Sequence, residues 1–210
     1  MKAAIFLSRL KKEYGLPGTT LCHDNPWQLM VATMLSAQCT DKRVNRVTPF
    51  LFAKYRTIES LANADENELK RIIRSTGYYN QKAKRIKEAA KTIMKKYGGK
   101  IPEQIEELVR IPGVGRKTAN IIITYGFGGN QGIAVDTHVR RLSFRLGLTK
   151  SRNPIVIERD LKKAFRKKDW PAVNTAFIEH GRRVCKAAKP LCSRCVLKLE
   201  CPKNGVDKHV

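Results

Sequence analysis

Acidic residues are scarce in this chain: 18 Asp and Glu stand against 42 Lys and Arg, a formal net charge of +24 over 210 residues. That deficit argues against a merely heat-adapted surface, whose signature balances Lys with Glu in ion-pair networks. Long apolar runs are missing too, since none approaches the ~18 residues that a membrane-spanning helix needs. Only Ala3-Ala4-Ile5-Phe6-Leu7 precedes Arg9, Lys11 and Lys12, too short and too basic a start for a secretory leader. A cytoplasmic protein is expected. Period-two alternation is not sustained anywhere, which confines strand to one short piece at Ile133-Val135. Internal repeats, low-complexity tracts and the Gly-x-x-x-x-Gly-Lys-Ser/Thr spacing of a nucleotide-binding loop are absent. What remains, with 42% hydrophobic and 29% charged residues, is the composition of a folded soluble protein.

About two bases for each acid make a surface that repels itself until a polyanion neutralises it. Nucleic acid is that polyanion. The excess is spread along the chain, as in Lys82 to Lys100, where Glu88 is the sole acid. The expected product is a basic face on a folded body, not a basic tail.

The six cysteines are unevenly placed. Cys22 and Cys39 lie apart near the start, whereas Cys185, Cys192, Cys195 and Cys201 crowd together near the end. A disulfide framework does not suit a cytoplasmic chain able to bury a core. Four thiolates in a compact loop suit either zinc or an iron–sulfur cluster, and spacing alone does not choose between them.

Helical signals recur throughout. Asp24-Asn25-Pro26 supplies a cap and a first-turn proline for a helix carrying Trp27, Met30, Val31 and Met34. A helix over residues 41–55 places Val44, Val47 and Leu51 on one stripe. Asp65 with Glu68 resembles a capping box for a helix that Gly77 stops. Ala83, Ile86, Ala90 and Ile93 mark the inner face of a basic helix ending at Gly98-Gly99. Two shorter helices, over 104–110 and 116–124, flank Pro112-Gly113-Val114-Gly115. Asp136, Asn153-Pro154 and Trp170-Pro171 open three more. Short helices joined by short turns predict an all-α fold. The glycine-rich stretch 126–132 predicts the seam between two lobes.

The turn at Ile111-Pro112-Gly113-Val114-Gly115 is the most informative one. Gly113 and Gly115 permit backbone conformations that other residues resist and leave their amides bare. The next helix adds unpaired N–H groups and a positive dipole end. Together they suit a phosphate oxygen, and Arg116-Lys117 adds charge beside it.

With these residues in view, the chain resembles the endonuclease III branch of the helix-hairpin-helix DNA glycosylase superfamily over nearly its whole length. Leu35-Ser36-Ala37-Gln38-Cys39-Thr40-Asp41 is similar to that family's Leu-Ser-Ala-Gln segment. Ile111 to Asn120 resembles its hairpin, Val135-Asp136-Thr137-His138-Val139 its aspartate motif, and the late cysteines its cluster loop. The resemblance implies a bifunctional DNA glycosylase and abasic-site lyase of base excision repair. Its expected substrates are oxidised or saturated pyrimidines in duplex DNA, and the protein is expected to be a nucleoid-associated monomer.

Lys117 matches the family's catalytic lysine and Asp136 its essential carboxylate. An amine attacks C1′ only when uncharged, a form favoured by a positive helix end and neighbouring Lys/Arg charge. The Schiff base it leaves acidifies C2′ and permits β-elimination, which water as nucleophile would not. A carboxylate beside the amine works the other way, so Asp136 is assigned to stabilising oxocarbenium-like charge and assisting proton movement. His138 is expected to be structural.

Extruding a nucleotide leaves a hole in the stack. By resemblance Gln38 fills it, and Tyr78 in Gly77-Tyr78-Tyr79-Asn80 is the wedge of a second insertion loop. Tyr78 departs from the aliphatic residue more common there, and Cys39 stands where a small non-thiol residue is usual. Cys39 is expected to be buried and inert. The pattern Cys185-x6-Cys192-x2-Cys195-x5-Cys201 matches the family's [4Fe–4S] spacing, and Lys189, with Lys186, stands in its first loop facing phosphates.

The expected architecture is two-lobed. Residues 22–130 form a six-helix lobe with the hairpin, and residues 1–21 and 131–210 form a discontinuous cluster lobe, with DNA in the groove. Two alternatives remain. A monofunctional uracil or thymine mismatch glycosylase on the same scaffold commonly lacks the lysine. A non-catalytic DNA-binding iron–sulfur module would share charge, hairpin and cysteines but have no use for Lys117 with Asp136.

Overall fold

The structure, a computed structural model, describes residues 2–15, 18–208 and 210. Among these residues the regular elements are all helical, in the order α1 (Lys2–Tyr14), α2 (Pro26–Leu35), α3 (Asp41–Lys54), α4 (Ile58–Ala62), α5 (Glu66–Ile73), α6 (Tyr79–Tyr97), α7 (Ile105–Leu108), α8 (Arg116–Ile121), α9 (Thr137–Arg145), α10 (Pro154–Ala164) and α11 (Trp170–Arg183). A π-helical turn, Ile122–Gly126, continues α8. None of the described helices is long and apolar enough to cross a membrane. The chain divides into two compact units, one of Met1–Gly18 with Gly132–Val210 and the other of Thr19–Gln131.

In the Thr19–Gln131 unit, α2 is the central helix. Asn25 caps it by accepting from the Gln28 amide at 3.1 Å, and every residue from Gln28 to Leu35 is buried. A helix so enclosed shows no amphipathic stripe, because no side of it meets water. The outer helices do show stripes. Val44, Val47 and Leu51 of α3 are buried, and so are Ala83, Ile86, Ala90 and Ile93 of α6. Gly98 ends α6 in the left-handed conformation, with the Gly99 amide bonded back to the Ile93 carbonyl. Asp65 caps α5 through the Glu68 amide at 2.8 Å, but Glu68 does not close the box, because its carboxylate is engaged by Lys54 and Tyr55.

In the other unit, α11 buries Val173, Ala176 and Phe177 against Phe6, Leu7 and Leu10 of α1 and Val139 and Leu142 of α9. Arg9 of α1 grips Glu200 through two bonds of 2.6 and 2.7 Å, and Lys11 pairs with Asp169 at 2.8 Å. The strand expected at Ile133-Val135 does not form. The Ile133 amide donates to the Glu158 carboxylate at 3.3 Å and the Ala134 carbonyl accepts from the Asn174 side chain at 2.6 Å, so buried side chains take the bonds a ladder would have made.

Candidate functional site

The turn between α7 and α8 is pinned from beneath and bare above. Ile111 and Val114 are buried, and the Val114 amide closes the turn on the Ile111 carbonyl at 3.0 Å. Gly113 has φ +79°, where a Cβ would also come within 2.7 Å of the Met34 Cε and 3.4 Å of the Arg85 Cβ. Gly115, the N-cap of α8, has an ordinary φ of −87° and open space where its Cβ would be. The two glycines therefore serve different ends. Gly113 is required by the fold, whereas Gly115 leaves its backbone open to an approaching group. Lys117 comes next as the second residue of α8 and is exposed, above buried Ala119 and Asn120.

Asp136 is the N-cap of α9 in the other unit. Its Oδ1 accepts from the Val139 amide at 2.8 Å, which fixes the carboxylate and leaves the second oxygen outside the cap. His138 stands 3.1 Å from an Arg141 Nη2 and directly under Gly181, where a Cβ would meet its ring at 2.7 Å. Burial pushes its pKa down. These contacts are packing, in keeping with a structural residue.

Gln38 and Tyr78 share an unusual property: both are non-glycine residues in the left-handed region, at φ +53° and +49°. Both are exposed. Gln38 lies in the turn after α2, and Tyr78 immediately precedes α6. Cys39 is not buried as expected. It is only partly buried, packed against the edge of the core where the chain has left α2 and turns towards α3, and its Sγ lies 3.7 Å from the Thr40 carbonyl.

The four late cysteines line one pocket with Leu142, Leu146 and other apolar walls. They form no disulfides. Burial, and then the other cysteine sulfurs, push the Cys195 thiol up to about 11, and burial raises Cys201 as well. Among the described residues no three His, Cys, Asp or Glu side chains are grouped so as to hold a single metal ion. Lys186 and Lys189 are exposed on the segment between Cys185 and Cys192.

Sequence reasoning missed what holds this segment. Arg145, 8% exposed, donates to the Lys186 and Ala187 carbonyls at 2.7 and 2.8 Å and approaches the Cys185 Sγ at 3.3 Å. Arg141 holds the Cys185 and Gly181 carbonyls, each at 3.0 Å. His180, buried with its pKa lowered to about 4 by desolvation, lies between the Tyr14 hydroxyl at 2.8 Å and the Cys195 Sγ at 3.4 Å. The available signal was spacing. Arg141 and Arg145 lie four apart on α9, interleaved with the apolar Val139 and Leu142.

Residues 31–167 match the family described as HhH-GPD superfamily base excision DNA repair protein. The endonuclease III of Synechocystis sp. is 50% identical over 203 residues, covering 96% of this chain and 92% of that protein. That of Thermotoga maritima is 43% identical over 177 residues, covering 84% and 83%. Among solved structures, a trapped endonuclease III–DNA covalent intermediate superposes with a TM-score of 0.89 at 40% identity, over 97% of this chain and 96% of that one. Agreement of this extent, in sequence and in backbone, places the chain in the endonuclease III branch of the HhH-GPD superfamily.

Proposed function

We propose that the chain is a bifunctional DNA glycosylase and abasic-site lyase of base excision repair, acting on oxidised or saturated pyrimidines in duplex DNA. The observation that carries this reading is the exposed Lys117 on the first turn leaving the glycine hairpin. The relative trapped as a covalent intermediate with DNA supports the covalent route. On this reading the Thr19–Gln131 unit is the hairpin-bearing helical lobe and the other unit the cluster lobe.

The chemistry is that of a primary amine. The uncharged Lys117 Nζ attacks C1′, and the bond to the base breaks with its electron pair leaving on the base, which takes up a proton. Ring opening gives an imine between Nζ and C1′. A proton is then lost from C2′, the C3′–O bond breaks, and the 3′ phosphate departs with the strand nicked. Water hydrolyses the imine and frees the lysine. Asp136, held by its cap bond to Val139, stabilises the positive charge that grows on the sugar and assists the proton transfers. Gln38 fills the vacated stack, Tyr78 wedges it, and the bare Gly113–Gly115 turn receives backbone phosphate.

The cysteine segment fits a [4Fe–4S] cluster. Four sulfurs share one apolar-walled pocket, where burial and their mutual repulsion make bare thiolates costly, and bound iron offsets that cost. Cys185, Cys192, Cys195 and Cys201 would hold it. The bound group supplies a rigid cross-link that fixes the segment bearing Lys186 and Lys189.

Borohydride trapping on an abasic duplex tests the mechanism. The wild-type chain forms a covalent adduct, while Lys117→Gln keeps duplex affinity and loses adduct and nicking to below about a thousandth. Undiminished nicking by that variant would overturn the assignment. Base release without any trappable adduct in the wild type would instead indicate a monofunctional glycosylase.

A further inference from the structure

Lys82 is a buried lysine of the Thr19–Gln131 unit that this chemistry leaves unused. It sits in the first turn of α6, is 7% exposed, and points its Nζ at two backbone carbonyls, Leu35 at 2.7 Å and Thr76 at 2.8 Å. Burial pushes its pKa down. Leu35 is the last residue of α2, and Thr76 is the last residue of the 3-10 turn after α5. Both carbonyls lie at helix ends, where acceptors lose their intrahelical partners and a cation is favoured.

The two carbonyls matter for the turns they lead into. Leu35 runs into the Ser36–Gln38 turn, and Thr76 runs into Gly77-Tyr78. One ammonium therefore holds the chain immediately upstream of both exposed left-handed residues, Gln38 at φ +53° and Tyr78 at φ +49°. Each such conformation costs on the order of 1 kcal/mol for a non-glycine residue and persists only where the surroundings impose it. Neither side chain is buried, so core packing of those side chains does not impose it.

We propose that Lys82 is a positioning residue that ties the two loops into one pre-organised unit, so that Gln38 and Tyr78 enter the DNA stack in fixed register. The inference rests on the functional reading above. Lys82 touches neither the sugar nor the base, and it acts through the backbone that presents the two inserting side chains.

The test separates duplex from single-stranded substrate, since a single strand has no stack to fill. In Lys82→Met, kcat/KM on a lesion in duplex DNA falls about 10- to 100-fold, the size expected for misplacement of about an ångström. Borohydride trapping on a single-stranded abasic oligonucleotide changes far less. The fluorescence of 2-aminopurine opposite the lesion, which reports insertion, also loses amplitude. Lys82→Arg, which keeps a cation with several donors, recovers part of both. An unchanged ratio of duplex to single-strand activity in folded Lys82→Met overturns the proposal. Should that variant fail to fold, a double-mutant cycle of Gln38→Ala and Tyr78→Ala in the wild-type chain decides. Affinities for an uncleavable abasic duplex that are non-additive by several-fold support the tie, and additive ones refute it. A wild-type chain that traps no abasic DNA of either kind refutes the functional reading instead.

Discussion

Alanine at Gly113 and alanine at Gly115 should damage different things, although the two residues share one turn. At Gly113 the backbone stands at φ +79°, a conformation that costs an L-residue about 1–2 kcal/mol. The new Cβ would also press on the Met34 Cε at 2.7 Å. That contact is with the far end of a flexible side chain and adds at most about 1 kcal/mol. A chain of this size loses roughly 2–4 °C per kcal/mol, so a total of about 1–3 kcal/mol should make Gly113→Ala unfold about 2–12 °C lower. At Gly115 the φ of −87° suits any residue and the added methyl meets nothing, so stability should stay within about 0.5 kcal/mol. The methyl would, however, stand where a phosphate oxygen must reach the amides. Losing one charge-assisted hydrogen bond of ~1.5 kcal/mol weakens binding about tenfold. Thermal unfolding followed by circular dichroism and anisotropy titration of an uncleavable abasic duplex give the two readouts. If Gly115→Ala bound as tightly as the wild type, the hairpin would be a helix connector and not a phosphate site.

Asp136 separates capping from chemistry. Asp136→Ala should lose both excision and about 1 kcal/mol of stability, whereas Asp136→Asn keeps the bond to the Val139 amide and the stability but not the activity. In the Met1–Gly18 and Gly132–Val210 unit, the hydrogen bond from Lys11 holds the Asp169 carboxyl below its ordinary range, with Arg166 assisting. Because the folded pKa is the lower one, this stabilisation is complete above about pH 4 and fades as the pH falls through the folded value. A pH series of melting temperatures should show Lys11→Met less stable than the wild type at pH 7, with the gap closing towards pH 2.

The elements that could be read from the sequence were those with a local chemical signature. Asn25, Asp65, Asp136 and Asn153 were all identified as helix openers, and each accepts a bond from an amide of the first turn. A cap is a contact within four residues, so its information is local. The stripes of α3 and α6 were read for a similar reason. The helix α4 was missed because its five residues are too few to show a period, although Thr57 and Ser60 form a reciprocal capping box. The strand at Ile133 was expected wrongly because its partners, Glu158 and Asn174, lie far along the chain. Lys117 and Asp136 are assigned by motif resemblance, and their local settings at the starts of α8 and α9 follow from the glycine turn and the cap. Lys82, Arg145 and His180 escaped because polar residues are read as surface. Each is buried, and each is held by groups distant in sequence.

Those buried cations change what the net charge means. A total of +24 was the first indication of a polyanionic partner, yet the total does not count the charges that face it. Lys82 and Arg145 spend their donors on backbone carbonyls inside the protein, and Arg141 does so in part. Groups held in this way displace no cation from the DNA, because they do not meet its phosphates. The slope of log affinity against log salt counts neutralised phosphates at about 0.9 each, so it distinguishes the two populations. Replacing exposed Lys189 with Met should weaken binding and flatten the slope by about 0.9. Replacing Lys82 with Met should weaken duplex binding by way of its loops and leave the slope unchanged. A salt titration in which both variants flattened the slope equally would mean that Lys82 meets phosphate directly and that its contacts with Leu35 and Thr76 are given up when DNA is bound.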